Sequence, residues 1–306
     1  MKGVIIKSTG SWYDVMDENQ NIYKGRLRGK HKIKGLKVNN PLAVGDRVDF
    51  EQETSAESVS ITDILPRENY ILRKSVHKKG HSHMIAANID QAILIVTLSF
   101  PRTSLGFIDR FLVSAEAFRI PAVLVFNKQD ILEGELKNYQ TELAQMYESI
   151  GYKCLFTSTQ TSEGIATFDQ FLDNKTSLLS GHSGVGKSTL VNTIAPHLSL
   201  KTSEVSTFAN KGKHTTTFAE MFRLRENTYI IDTPGIKEMG LAEIGNEELS
   251  HYFPEMRDLL GACKFHNCRH INEPGCAVRK QVEEGVLPAT RYDNYLSMLE
   301  DYDSYR

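Results

Sequence analysis

The hydrophobic pattern changes character twice along the chain. Over the first 72 residues, apolar positions come in short β-rich runs: Val4-Ile5-Ile6, Trp12-Tyr13-Asp14-Val15, Asn21-Ile22-Tyr23 and Arg47-Val48-Asp49-Phe50. Gly, Asn and Asp separate them, and several short strands in so small a span predict a small β-barrel such as an OB-fold. Residues 72–88 hold Lys, His and Gly with little apolar content and read as a linker.

From Ile89 the texture becomes strand–helix alternation. Ala92-Ile93-Leu94-Ile95-Val96-Thr97 is a continuous apolar run, the mark of a strand covered on both faces. Phe107, Ile108, Phe111, Leu112, Ala115 and Phe118 recur at helical spacing, and Pro121 ends that helix. Ala122–Phe126 is the next strand, a second helix covers Glu135 to Ser149, and Tyr152–Thr157 is again strand-like. A short helix about Phe168-Phe171-Leu172 precedes the strand Thr176–Ser180. Alternation of this kind predicts a parallel sheet with helices on both faces and ligands at the strand carboxyl ends. After Gly235 the strand pattern stops, and residues 241–306 read as helical and polar. The reading is therefore multi-domain: a barrel over 1–72, an α/β domain over 73–240 and a mainly helical C-terminal domain over 241–306.

Composition adds limits. Hydrophobic content of 40% and charged content of 24% over 306 residues describe an ordinary soluble protein. No run approaches the roughly 18 apolar residues of a membrane span, and the N-terminus turns polar too soon for a signal peptide. A cytoplasmic location with no membrane partner is expected, and a monomer. The net charge of −2 conceals a basic stretch, Lys24 to Lys37, with seven Lys/Arg and no acidic residue. It hints at a polyanionic partner such as RNA, although a solvated loop fits the same residues.

Chemistry enters where strands end. Gly181-His182-Ser183-Gly184-Val185-Gly186-Lys187-Ser188 fits GxxxxGK[ST], follows an apolar strand and opens a helix. Its glycines let backbone N–H groups close around phosphate oxygens, and the helix adds its positive N-terminal dipole. Lys187 is expected on the β- and γ-phosphates, Ser188 on Mg²⁺ and Thr189 at the α-phosphate.

Asn127-Lys128-Gln129-Asp130 follows a buried strand and fits NKxD, the guanine reader of GTPases. A carboxylate at Asp130 accepts from guanine N1–H and the 2-amino group. Adenine has no such amino group and offers an acceptor at N1, so a buried polar site rejects it. Thr157 and Ser158, at the next strand end, occupy the slot that supports the guanine oxygen. Asp232-Thr233-Pro234-Gly235 matches DxxG: Asp232 is expected to hold Mg²⁺ through water, and the Gly235 N–H to sense the γ-phosphate. Between these lies Gly212-Lys213-His214-Thr215-Thr216-Thr217, where a threonine, Thr215 or Thr216 among them, is expected to complete the Mg²⁺ shell. The residue after DxxG is Ile236, where Ras-like GTPases carry a water-orienting glutamine. Slow intrinsic hydrolysis is expected, with His214 the nearest candidate for the catalytic role.

The motif order is rotated. Most GTPases begin with the phosphate loop and end with the base reader; here NKQD precedes GHSGVGKS. Beyond both, Cys263-x4-Cys268-x-His270-x5-Cys276 offers three thiolates and an imidazole, the donor set of a closed structural Zn²⁺ site. His266 competes with His270 for the fourth place. Cys154 lies in a strand and reads as core.

The whole chain resembles the ribosome small subunit-dependent GTPase A family, on NKQD, GHSGVGKS, GKHTTT and DTPG in rotated order followed by the Cys/His cluster. The resemblance implies a circularly permuted GTPase with an N-terminal OB-fold and a C-terminal zinc domain. It implies GTP hydrolysis to GDP, stimulated by the small ribosomal subunit during its late maturation, with rRNA bound through the flanking domains. It carries nucleotide binding onto Asn127 to Asp130 and Gly181 to Thr189, zinc onto Cys263, Cys268, His270 and Cys276, and the switch histidine onto His214. Two other readings compete: a permuted GTPase of large-subunit assembly, and a nucleotide-gated RNA chaperone with little turnover.

Overall fold

A computed structural model describes residues 1–28, 40–52, 58–74, 82–200, 219–232 and 244–304. The N-terminal strands are β1 (Lys2–Ser8), β2 (Tyr13–Asp17), β3 (Ile22–Leu27), β4 (Arg47–Gln52) and β5 (Ser58–Ile64). They pair in the order β1-β2-β3-β5-β4, and β4 returns to β1, closing a barrel of OB type. The β3–β5 pair is parallel and the others antiparallel. Alternate residues Ile5, Tyr13, Val15, Val48, Phe50, Val59 and Ile61 fill the interior. The strand β5 has the same inward alternation, Val59 and Ile61, that marks the others.

The linker expected over 72–88 is replaced in part by a hairpin, β6 (Tyr70–Lys74) paired antiparallel with β7 (Ser82–Ala87). Ile71, Leu72, Met84, Ala86 and Ala87 are buried, which supplies the reason these flanks are ordered as strands. The Lys, His and Gly that suggested a linker are concentrated between them.

The central sheet runs β10-β9-β8-β11-β13-β12. Its strands are β8 (Gln91–Val96), β9 (Ala122–Asn127), β10 (Lys153–Thr157), β11 (Thr176–Ser180), β12 (Glu220–Arg225) and β13 (Thr228–Asp232). The neighbours from β10 through β13 are parallel, and β12 joins as an antiparallel edge. Successive residues face opposite layers. Leu94, Leu124, Leu178 and Ile231 pack with α1 (Leu105–Ala117) and α2 (Gly134–Ile150). Ile93, Val125, Leu179 and Ile230 pack with α3 (Ile165–Phe171) and α4 (Lys187–Ile194). This two-faced burial explains the continuous apolar runs of the central strands. The edge strand β12 meets the barrel at Lys7↔Glu220, where the side chains also form an ion pair of 2.9 Å.

The C-terminal part contains α5 (Pro254–Arg257), α6 (Ala277–Glu283) and α7 (Ala289–Ser304). Leu249, Phe253, Met256, Val278, Leu287, Tyr295 and Met298 form its core, joined by Val113 of α1. Helix α1 thus has one face on the sheet and another on the C-terminal part. No helix among the described residues is long and apolar enough to cross a membrane.

Candidate nucleotide and metal sites

Strand β11 ends at Ser180 and turns through Gly181, Gly184 and Gly186, with φ of +144°, +84° and +97°. Two of these glycines are required by their neighbours. A Cβ on Gly181 would lie 2.5 Å from the Ile95 carbonyl oxygen, and one on Gly186 would lie 2.5 Å from Asn127 Nδ2. Val185 is fully buried under the turn, Ser183 and Thr189 are exposed, and Ser188 is half-buried. The Lys187 ammonium folds back over the loop, donating to the carbonyls of Gly181 (2.7 Å) and His182 (2.8 Å). Burial pulls its pKa below the ordinary lysine value, and the Asp232 carboxylate opposes that shift. Asp232 ends β13 opposite Leu179 of β11, so its charge reaches the same strand ends.

Strand β9 ends at Asn127, which is 2% exposed. Its Nδ2 donates to the Val185 carbonyl at 2.8 Å, and its Oδ1 accepts from the Thr157 hydroxyl at 2.9 Å. One amide side chain therefore joins three strand-end loops that are distant in sequence. Lys128 takes a left-handed backbone (φ +64°), and its Nζ donates to the Phe100 carbonyl at 2.7 Å. Gln129 turns inward and donates to the Phe126 carbonyl at 3.1 Å. Asp130 is exposed, and its Oδ1 accepts from the Ser158 hydroxyl at 2.5 Å. Ser158 Oγ in turn accepts from the amides of Gln160 and Thr161, each at 3.2 Å.

The residues Asn127 to Asp130, Thr157, Ser158, Gly181 to Thr189 and Asp232 lie at the carboxyl ends of β9, β10, β11 and β13 or on the segments that follow them. His214, Thr215, Thr216, Gly235 and Ile236 lie outside the described residues, as do Lys30, Lys32 and Lys34 of the basic stretch. Two contacts were not legible in the motifs. Lys128 reaches the loop before α1, and the His182 ring stacks on Phe107 in the first turn of α1, with centroids 4.0 Å apart. The helical spacing that placed Phe107 in the core carried no sign of this second partner.

The Cys/His cluster is assembled. The ligand atoms of Cys263, Cys268, His270 and Cys276 all lie within 4.8 Å of one another. His270 Nδ1 is 3.6 Å from Cys263 Sγ and 3.4 Å from Cys276 Sγ. Backbone amides of Ala277 and Arg279 donate to Cys263 Sγ and Cys276 Sγ at 3.4 and 3.5 Å. The tyrosine hydroxyls of α7 brace the loop, Tyr292 on the His270 carbonyl and Tyr295 on the Arg269 carbonyl. Burial lowers the His270 pKa, keeping the imidazole neutral and ready to ligate. Burial and neighbouring thiols push Cys268 up to about 12. The group can hold a metal ion, and His266 is not part of it.

Comparison with known proteins decides the family. The RsgA GTPase family matches residues 64–242, and the RsgA N-terminal domain matches residues 2–59. The chain belongs to the RsgA GTPase family. A Cytophaga hutchinsonii protein named small ribosomal subunit biogenesis GTPase RsgA is 55% identical, with 100% of each chain covered. A Bacteroides fragilis protein of the same name is 49% identical over 98% of this chain and 97% of its own. Among solved structures, YjeQ from Thermotoga maritima has a TM-score of 0.77 at 34% identity, covering 98% of this chain and 97% of its own. YloQ, described as a circularly permuted GTPase, has a TM-score of 0.74 at 30% identity, covering 100% and 96%. The rotated motif order of this chain agrees with that description of YloQ, and the activity of the RsgA family is GTP hydrolysis.

Proposed function

We propose that this chain hydrolyses GTP to GDP and phosphate in the biogenesis of the small ribosomal subunit, and that hydrolysis releases it from rRNA. The observation that carries the reading is the Asn127 side chain, hydrogen-bonded to Val185 on one side and Thr157 on the other. That bond joins the loop carrying Asp130, the proposed guanine reader, to a glycine-rich turn with a half-buried lysine. In this reading Asp130 takes guanine N1–H and the 2-amino group, and Ser158 holds that carboxylate in place. The Lys128 stem packs along the base. The amides from Ser183 to Thr189, with Lys187, take the phosphates.

Ser188 and Asp232 would hold Mg²⁺, with Thr215 or Thr216 completing its shell and Gly235 sensing the γ-phosphate. The fit is supported by the negative charge that Asp232 already supplies near Lys187. When bound, the ion neutralises charge on the β- and γ-phosphates. His214 is the residue proposed to orient the attacking water, because Ile236 cannot. Cys263, Cys268, His270 and Cys276 would hold one structural Zn²⁺. Three sulfurs and an imidazole with their ligand atoms all within 4.8 Å of one another support that choice.

The barrel supports an RNA role: Trp12 is exposed, with the Arg26 guanidinium 3.9 Å from its ring centroid. A ribosomal precursor as partner places the work in the cytoplasm. The test is the GTPase rate with isolated small subunits, with large subunits and with neither. Stimulation by small subunits alone is expected; stimulation by large subunits alone, or by neither with tight RNA binding, would replace the reading.

A further inference from the structure

Helix α1 touches both the phosphate loop and the C-terminal part. Phe107, in its first turn, stacks on His182 with centroids 4.0 Å apart and planes inclined by 29°. Two residues on, Asp109 is buried and points the other way. Its Oδ1 accepts from Arg291 at 2.6 Å and its Oδ2 from Asn294 at 2.5 Å, both on α7. Arg291 is held in turn by Glu255, at 2.7 and 3.1 Å, and lies over the Phe253 ring. The helices approach closely here: a Cβ on Gly106 would sit 3.4 Å from Asn294 Oδ1. The loop leading into α1 also carries the Phe100 carbonyl that accepts from Lys128. A second tie between α1 and the C-terminal part, Arg257 to Glu116 at 2.9 Å, lies at the far end of the helix and is partly exposed.

We propose that Phe107 is a positioning residue for the phosphate loop, and that α7 sets its position through Asp109. Phe107 and Asp109 are separated by about 3 Å along a rigid helix, so a shift of one is a shift of the other. Close-packed contacts of this kind move between discrete arrangements rather than yielding smoothly. A C-terminal part displaced on RNA therefore resets the grip on the nucleotide, and the nucleotide reciprocally biases the C-terminal part. This coupling rests on the reading of residues 181–189 as a guanine-nucleotide site.

The test uses the full chain and a fluorescent GDP, following release rate, equilibrium affinity, and kcat and KM for GTP. Phe107→Leu, which keeps apolar bulk but loses the ring, and Asn294→Ala are each expected to speed GDP release about five- to tenfold. The double variant should release no faster than the faster single variant, because both act through one helix. Phe107→Tyr restores a ring on His182 and should restore the wild-type rate. Glu116→Gln weakens the distal, partly exposed tie and should leave release unchanged. Multiplying effects in the double variant, equal acceleration by Glu116→Gln, or unchanged release in Phe107→Leu would overturn the proposal while a wild type that binds GDP keeps the site reading. A wild type that binds no guanine nucleotide would overturn both.

Discussion

Asn127 donates its side-chain amide to the Val185 carbonyl at 2.8 Å, a bond that spans 58 positions of sequence and connects the end of β9 to the glycine-rich turn after β11. The Thr157 hydroxyl completes the clamp. In Asn127→Ala a fully buried carbonyl and a buried hydroxyl each lose their partner, costing about 1–3 kcal/mol apiece. GTP and GDP affinity should both fall by at least about tenfold, since the clamp orders two loops that both nucleotides would share. Titration calorimetry with each nucleotide checks this, and loss of GTP binding alone would contradict it.

In the proposed reading, base specificity rests on a single carboxylate. Asp130 carries the Ser158 hydroxyl on one oxygen and is otherwise exposed to the incoming base. Asp130→Asn replaces an acceptor by an amide donor, which suits the C2 carbonyl of xanthine and opposes the 2-amino group of guanine. GTP affinity should drop by about 100-fold or more and XTP affinity should rise. Competition binding of the two triphosphates to the variant reads both changes, and an equal loss for each would show that the variant is only damaged.

Much of this architecture was legible in the residues, for physical reasons. Strands buried on both faces are nearly continuously apolar, so β8 and β9 declared themselves, and the glycine turn could be placed between β11 and α4. The barrel strand β5 was less legible because its inward residues, Val59 and Ile61, alternate with Ser, Thr and Asp. The hairpin β6–β7 was read as linker because apolar flanks surround a polar stretch. The Asp109–Arg291 pair could not be found at all: 182 positions separate two charged residues that periodicity would place on solvent-facing helices. Long-range polar contacts have no sequence period, and only packing brings them together.

Metal affinity should depend steeply on pH. Burial holds the Cys268 thiol at about 12 and raises Cys276, so both carry protons at neutral pH when no metal is bound. Burial lowers His270, which already sits neutral there. A metal must displace at least those two protons, so protons compete and affinity falls as pH falls, by at least about 100-fold per unit near neutrality. Calorimetry of Zn²⁺ binding in buffers of different ionisation enthalpy counts the protons released. Stripping the metal should loosen the 263–276 loop, read as faster amide exchange there, with GDP affinity as a separate measure of how far the change spreads.

His214 is proposed to orient the attacking water, which separates binding from turnover. His214→Ala should lower kcat in the presence of small subunits by about 100-fold, the lower end of general acid–base contributions, and leave GDP affinity within about twofold. Single-turnover hydrolysis with saturating subunits measures the first and equilibrium titration the second. Unchanged turnover would remove the histidine from the reaction.

The buried charges between α1 and α7 carry a stability prediction of their own. Arg291 has no exposed side-chain surface and faces both Asp109 and Glu255, with Tyr147 also donating to Asp109 at 2.8 Å. Arg291→Met keeps much of the stem packing and removes the cation, leaving two acids without a counter-charge. One partner lost from a buried pair costs about 3–5 kcal/mol, far more than the pair contributes over apolar residues. Asp109→Asn in the same chain removes one of the stranded acids and keeps an acceptor for Tyr147, so it should recover part of the loss. Denaturant unfolding of the single and double variants measures the interaction directly. Recovery in the double variant identifies stranded charge as the cause, whereas a further loss would mean that packing around Arg291 matters more than its ion pairs.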